Sequence, residues 1–387
     1  MRKKTAYILP FLLLLIGQSA ESQIQNNIPD YIRQRFHMYM ETVPWEEIYV
    51  HSDRNEYISG EDLWFDVYLI DRQSLKPSAN SRIAYIELLN AQSRPVLQKR
   101  ILLVKGFGPG QIRLPDTLST GTYTIRAYTN WMKNFLPWNC FRKEIKIFNS
   151  LNTGNSTLKP PALEAATRSI DTQPRSGPIN TDITLVLNNS DSNTLILSVS
   201  AGENYLTANG NHFTLVVQTR GNIDLIDSEV LAEGKARITI PRISLISGIN
   251  QITILDSRLK PVCERYVFNP PGYRPAFNLL SPAAANRREK ISLEFDLRDI
   301  PALAVNPANL SVSVAAASNT NAAGLDDYLL FGTEFGFIPP DVLNSGGQRG
   351  FDVKIIDSIM SDKKSRWIDW DEILSGNLPH FKYQAEK

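Results

Sequence analysis

Four histidines, two cysteines and two clusters of carboxylates are the side chains with which this sequence could do chemistry. Zinc would need ligands at short repeated spacings, because a tetrahedral site usually draws its first pair from one turn or hairpin. His37, His51, His212 and His380 stand far apart, and neither Cys140 nor Cys263 belongs to a Cys-x-x-Cys pair. No metal ligand set is expected from them. His51 lies in a strand-like run, where a packed or edge histidine is a simpler account than a general base. Asp53, Glu56, Glu61 and Asp62 surround the turn residues Ser59-Gly60, while Asp369, Asp371 and Glu372 stand at a helix start. Local backbone capping and the helix dipole account for both groups without calcium or acid–base catalysis. The sequence has no Gly-x-Ser-x-Gly elbow, phosphate loop or dinucleotide fingerprint, and Gly106-Phe-Gly-Pro-Gly110 reads as a β-turn. No catalytic residue, cofactor or metal is assigned, and an enzyme is not expected.

The aromatic residues offer more. Tyr128, Trp131, Phe135, Trp138 and Phe141 crowd a short stretch containing Asn and Pro, and one sheet face cannot hold them all. Trp131, Phe135, Trp138 and Phe141 are the candidate partner surface; the competing reading is that these rings close the end of a core or pack on a helix. Trp131 follows a strand closely and is expected to be at least half buried. Trp138, between Pro137 and Asn139, is expected in an exposed loop.

The elements that must position these residues follow from hydrophobic period. Ile28, Ile32, Phe36, Tyr39, Met40 and Val43 recur at helical spacing behind Asn27 and Pro29, which predicts an amphipathic helix within 23–44. From Trp45 the period becomes that of strands, predicted at 47–51, 63–70, 82–89, 96–104, 111–114, 122–129 and 142–148, which makes residues 45–149 one sandwich. Residues 150–177 are rich in Ser, Thr, Asn and Pro and read as a linker, where proteolysis should cut first. Strands resume at 182–187, 194–200, 213–218, 236–240, 251–255 and 265–268, a second sandwich within 178–270. Gly110-Gln-Ile-Arg-Leu-Pro115 with Leu118-Ser-Thr-Gly121 is echoed by Gly234-Lys-Ala-Arg-Ile-Thr-Ile-Pro241 with Leu245-Ile-Ser-Gly248, so the second sandwich looks like a diverged copy of the first. Residues 271–387 are predicted to be a partial third β domain, with strands at 290–297 and 309–315 and helices at 326–335, 352–360 and 369–374. The fold class is mainly β: tandem immunoglobulin-like antiparallel sandwiches, a short N-terminal helix and a partly helical C-terminal region.

Whole-chain properties set the setting. Arg2, Lys3 and Lys4 precede an apolar run from Ala6 to Ile16, the pattern of a signal peptide over 1–22, with no nearby cysteine to accept a lipid. An exported, unlipidated protein of the periplasm or outer-membrane surface is expected, with no integral membrane segment. The 387 residues carry 41 basic and 40 acidic side chains, a net charge of +1 that gives no field for nucleic acid. Two distant cysteines make no disulfide framework, although Cys140 and Cys263 would pair if their domains brought them together.

Ile48-Tyr-Val-His-Ser-Asp53-Arg-Asn-Glu-Tyr57-Ile-Ser-Gly60-Glu-Asp-Leu-Trp-Phe65 resembles the second macroglobulin domain of the alpha-macroglobulin family. Leu114-Pro-Asp-Thr-Leu-Ser-Thr-Gly121-Thr-Tyr-Thr-Ile-Arg-Ala-Tyr128-Thr-Asn-Trp-Met132 is similar to later strands of that domain in Gram-negative envelope proteins. Asn309-Leu-Ser-Val-Ser-Val314, Asp327-Tyr-Leu-Leu330 and Trp367-Ile-Asp-Trp370 look like downstream landmarks of the same group. The resemblance implies macroglobulin-type sandwiches used as extracytoplasmic modules, in a group where a TonB-receptor plug often follows. The chain ends at Lys387, soon after the last landmark, so the expectation is an accessory to a TonB-dependent receptor or transporter rather than the transporter itself. The family's covalent trap needs a Cys with a Gln three residues on; Cys140 is followed by Phe-Arg-Lys and Cys263 by Glu-Arg-Tyr, so no thioester is expected. The function expected is a non-enzymatic interaction or scaffold protein with a protein partner at the outer membrane. A glycan- or peptide-binding module and a thioester-independent protease inhibitor are the alternatives.

Overall fold

A computed structural model describes residues 28–151, 182–271, 278–282, 284, 286–296, 309–313, 324–336 and 353–387. The signal segment 1–22 and residues 152–177 of the linker lie outside them.

The chain is mainly β. After helix α1 (Ile28–Thr42) come β1 (Glu46–Ser52), β2 (Glu56–Ile58), β3 (Asp62–Asp71), β4 (Lys76–Pro77), β5 (Ile83–Leu89), β6 (Pro95–Leu102), β7 (Phe107–Arg113), β8 (Gly121–Thr129) and β9 (Phe141–Phe148). In one sheet β3 pairs with β1 on one side and with β7 and β4 on the other; the second sheet runs β2-β9-β8-β5-β6. Alternate residues such as Ile125 and Ala127 of β8, Ile86 and Leu88 of β5, and Leu63, Phe65 and Val67 of β3 face each other between the sheets and form the first core. Every strand expected from alternation in the first sandwich is present within about two residues at most ends, except for β7, which begins earlier than expected.

That exception has a local cause. Gly108, Pro109 and Gly110 are not a turn but the first half of β7, pairing with Val67, Asp66 and Phe65. The reversal occurs at Lys105 and Gly106, both at positive φ. The two later glycines are there for space: a Cβ on Gly108 would lie 2.8 Å from Ile101 Cγ2, and one on Gly110 2.6 Å from Phe65 Cε2.

The second sandwich repeats the plan with β10 (Ile183–Asn188), β11 (Thr194–Ala201), β12 (His212–Thr219), β13 (Asn222–Val230), β14 (Lys235–Pro241), β15 (Gly248–Leu255) and β16 (Pro261–Asn269), plus a short helix α2 (Glu203–Asn209). Its sheets run β10-β11-β14 and β16-β15-β12-β13, strand for strand the order β1-β3-β7 and β9-β8-β5-β6. The echoed glycine-bounded segments fall on matching elements, the passages from β7 to β8 and from β14 to β15, so the internal copy is real in topology as well as wording. The polar strand β13 and helix α2 were not expected.

Beyond Pro271, where a partial third β domain with C-terminal helices was expected, the described residues hold little strand. Asn278–Leu280 (β17) and Glu294–Asp296 (β18) form a two-stranded hairpin, and Asn309–Ser313 is irregular where a strand was predicted; residues 314 and 315 of that strand lie outside the described residues. The helices α3 (Leu325–Phe335), α4 (Val353–Met360) and α5 (Trp370–Ser375) do not build a separate core but lie across the two sandwiches as a strap. Helix α4 covers the edge of β16, where the Asp357 carboxylate accepts the Phe268 N–H at 2.9 Å. Strands β12 and β15 are consequently buried on both faces: Leu215, Val217, Ile252 and Ile254 face their own core, while Val216 and Leu255 face a joint formed with α1, Trp45, Trp131, Trp367, Trp370 and Ile373. Phe36 meets Trp370 and Trp45 meets Trp367 at ring-centre distances of 5.5 and 4.8 Å. Gln73 and Asn222 add direct bonds between the sandwiches, Gln73 Nε2 to Gly221 O at 2.7 Å and Asn222 Nδ2 to Gln73 O at 2.9 Å.

Candidate functional site

The four aromatic residues singled out in the sequence do not share one surface. Trp131 is 5% exposed and its indole N–H donates to Pro44 O at 2.7 Å; Phe141 is 4% exposed and packs in the first core against Tyr49. Both are therefore corrected from partner contacts to buried residues, because β8 leads directly into the 3-10 turn Trp131–Phe135 and swings Trp131 into the joint. Phe135 is half-buried. Trp138 is the exposed one, at 38%, in the loop after the cis Leu136–Pro137 peptide, with the Arg366 guanidinium 4.6 Å from its ring centre.

What covers the aromatic turn is the chain's own tail. From Phe381 to Ala385 exposure alternates as in a strand, with Phe381, Tyr383 and Ala385 turned inward and Lys382 and Gln384 outward. Phe381 sits against both Trp131 and Phe135, at 4.7 and 5.4 Å between ring centres. The backbone is held largely by side-chain amides. Asn134 Nδ2 donates to Tyr383 O at 2.7 Å while its Oδ1 accepts the Tyr383 N–H at 2.9 Å, and Asn130 Nδ2 donates to Gln384 O at 2.8 Å. Arg82 N–H donates to Glu386 O at 2.7 Å, and the Tyr85 hydroxyl donates to the Glu386 carboxylate at 2.9 Å. The Lys133 ammonium lies 4.2 Å from the ring centre of Tyr85, 5.9 Å from that of Tyr128 and 5.7 Å from that of Tyr383. Tyr85 and Tyr128 are themselves stacked, so two walls of this cation box belong to the sheet and the tail brings the third.

A second concentration of polar groups lies where α3 meets the sandwiches. Glu47, Arg72 and Glu334 are almost completely buried; Arg72 approaches Glu47 at 4.0 Å and Glu334 at 3.7 Å and donates to the carbonyls of Leu329 and Leu330. Gly332, at φ 56, breaks α3 and frees the Thr333 N–H and hydroxyl to donate to Glu47 Oε1 at 2.7 and 2.9 Å. Ser365 donates to Glu334 Oε1 at 2.7 Å. Burial pushes both carboxyls up, and the Arg72 charge pulls them part of the way back. These side chains are buried and their partners come from the first sandwich and the strap, so the cluster ties the strap to that sandwich, with the Arg72 Nε left without a hydrogen-bond partner among the described residues.

His51 also finds protein partners: Nδ1 lies 2.6 Å from Ser311 Oγ and Nε2 3.3 Å from Ser313 Oγ, while the Tyr68 hydroxyl donates to Ser311 at 2.5 Å. Burial lowers its pKa, as does nearby Lys143, against the smaller opposing effects of Asp66 and Asp53. Both ring nitrogens face hydroxyls, and among the described residues no carboxylate hydrogen-bonds the ring. Asp369, one of the sequence's acid cluster, caps α5 by accepting the Glu372 N–H at 3.1 Å, and Asp53 accepts from the Tyr57 hydroxyl at 2.6 Å. Cys140 and Cys263 are free, each buried in a different sandwich core. Among the described residues no three His, Cys, Asp or Glu side chains come together in a way that could hold a metal, and no helix is long and apolar enough to cross a membrane.

The tail's role was not legible in the sequence. Phe381-Lys-Tyr-Gln-Ala-Glu386 does alternate, but six residues with one alternating period signal a strand and not a place to dock it.

No family model and no curated protein matches the chain. Among solved structures it is similar to the Salmonella alpha-2-macroglobulin reacted with methylamine, at 12% identity over 65% of this chain and 16% of that one, with a TM-score of 0.23. The native conformation of E. coli alpha-2-macroglobulin gives 12% identity, 64% and 16% coverage and a TM-score of 0.23. A beta-glucosidase from Listeria innocua matches 27% of this chain and 16% of its own at 15% identity, with a TM-score of 0.20. The chain spans about a sixth of the length of these proteins, and likenesses so partial do not transfer an activity.

Proposed function

We propose that this protein is a non-enzymatic binding or scaffold protein that holds two sandwiches in a fixed relation and presents their outer surfaces to a protein partner. The observation that carries this reading is the joint. Four tryptophans, Trp45, Trp131, Trp367 and Trp370, are buried with α1 between the two sandwiches, and the Glu47–Arg72–Glu334 cluster locks the strap beside them. Such burial fixes geometry, and fixed geometry is what a spacer or presenting platform needs. The polar clusters support the reading because their groups are engaged in packing or capping.

In its finer form the proposal places the protein outside the cytoplasm, unlipidated, at the outer membrane beside a TonB-dependent receptor or transporter. The amino-terminal basic-then-apolar pattern and the resemblance of residues 48–65 and 114–132 to envelope macroglobulin domains support it. The exposed Trp138, with the Arg366 guanidinium over its ring, is an aromatic contact available to that partner. A photo-crosslinking residue substituted for Trp138, activated in cells of the source organism, tests this. Recovery of an outer-membrane receptor adduct is expected; a protein that fractionates with the cytoplasm, or that forms no envelope adduct from Trp138, overturns it.

A further inference from the structure

The tail is bound in the way a partner's peptide would be bound. Its backbone is read at Tyr383, Gln384 and Glu386 by Asn134, Asn130 and the Arg82 N–H, contacts indifferent to sequence. Its sequence is read at alternate positions through an aromatic ring against Trp131 and Phe135, a second ring closing the box around Lys133 and a small residue packed against the joint, and then, at the next residue, through a carboxylate on Tyr85. This division between backbone bonds for affinity and side-chain pockets for specificity is that of strand-like peptide recognition.

The attachment is also separable from the fold. Between α5 and Phe381 the chain runs through Gly376, in the left-handed conformation, and through Asn377 and Leu378, both exposed. Among the described residues one backbone-to-backbone hydrogen bond, Arg82 to Glu386, ties the last residues to the first sandwich. Removing the tail would leave the Tyr85–Tyr128 stack and the Asn130 and Asn134 side chains in place, facing solvent.

We infer that the groove between the Trp131–Phe135 turn and strand β5 is a peptide-docking site for a partner's extended segment of the pattern aromatic-x-aromatic-x-small-acidic, and that the chain's own tail holds it as a competing internal ligand. This rests on the reading of the molecule as a binding platform and names one surface and the chemistry it takes. A tethered segment competes at an effective concentration on the order of millimolar, so a free peptide at micromolar concentration gains the groove only when the tail is weakened.

The test uses the full chain and a fluorescent peptide of residues 377–386. Wild type is expected to show no saturable binding at micromolar peptide. Phe381→Ala with Tyr383→Ala is expected to bind the peptide saturably, and adding Asn134→Ala should weaken that binding about tenfold or more, as should replacing the peptide's two aromatic residues by alanine. A folded double variant that does not bind the peptide overturns the inference. So does a double variant that no longer folds, since a displaceable ligand must leave its receptor standing. Wild type that dimerises reversibly through exchanged tails would give the groove to a second copy and overturn the assignment to a partner. None of these results depends on recovering an envelope adduct through Trp138, so the two readings fail separately.

Discussion

Trp131 and Trp138 are seven positions apart, identical in type, and opposite in environment. The indole of Trp131 has a hydrogen-bonded N–H, Phe381 across its edge and a place in the joint, so truncation to alanine opens a cavity that its neighbours cannot fill. About 3–5 kcal/mol is the usual loss, which for a chain of this length lowers the melting temperature by about 4–6 °C. Trp138 is exposed beyond a third and touches Arg366, a contact of about 0.5–1 kcal/mol, so Trp138→Ala should melt within roughly 3 °C of wild type. Thermal melts of the two variants side by side check this, and equal losses would make the whole aromatic stretch structural. At this scale the sequence was half legible. Strand continuity from Tyr128 indicated that Trp131 turns inward and the flanking Pro137 that Trp138 does not, but Phe141 was misread because its inward direction depends on the register of β9 against β8. Glu47 and Arg72 gave no sign of burial, since a charged residue in a strand pattern is ordinarily solvated and only the strap, from far along the chain, removes the water.

At the scale of elements, alternation found the strands with a buried and an exposed face and missed those without that contrast. β13 is an edge strand with Asn, Asp, Ser and Glu among its nine residues, and the first half of β7 hides behind Gly-Pro-Gly. In the third region the helices stand near the expected 326–335, 352–360 and 369–374, but their docking was not legible, because an amphipathic pattern says that a face is buried and not against what. The break in α3 is the element that sets this docking. Gly332 combines positive φ with a site where a Cβ would lie 2.5 Å from Glu47 Oε1 and 3.0 Å from Arg72 Cζ. Gly332→Ala must strain the backbone or displace a buried ion pair, each on the order of 1–3 kcal/mol. The variant should lose about 2 kcal/mol or more in urea unfolding, with hydrogen exchange rising first in α3; an unchanged midpoint would show that the kink is not what seats the strap.

Across the whole molecule, the buried carboxylates determine how stability follows pH. Burial raises Glu47 and Glu334, and burial likewise raises Glu46, Glu264, Asp224 and Asp357, so the folded state holds protons more tightly than the unfolded chain at these positions. A group of this kind contributes fully below its unfolded value, 4.5 for the glutamates, and loses its contribution as pH rises through its folded value. His51 acts in the opposite direction, since its lowered folded value removes stability on acidification below about 6.5, and Lys143, lowered to about 8 by burial, joins it at the alkaline end, while burial raises Asp66 and Glu229 alongside the six. Unfolding free energy should therefore fall as pH is raised from about 5 toward 8, by at most about 1.4 kcal/mol per pH unit for each titrating carboxyl. Glu47→Gln removes one of them while keeping an acceptor for Thr333, and Arg72 retains Glu334, so its urea midpoint should depend less steeply on pH than that of wild type. Midpoints measured at half-unit intervals decide the matter. A wild type that gains stability steadily from pH 5 to 8, or a Glu47→Gln variant with an unchanged slope, would mean that the joint's charges are compensated by Arg72 at every pH and that strap and sandwiches are held by their tryptophans alone.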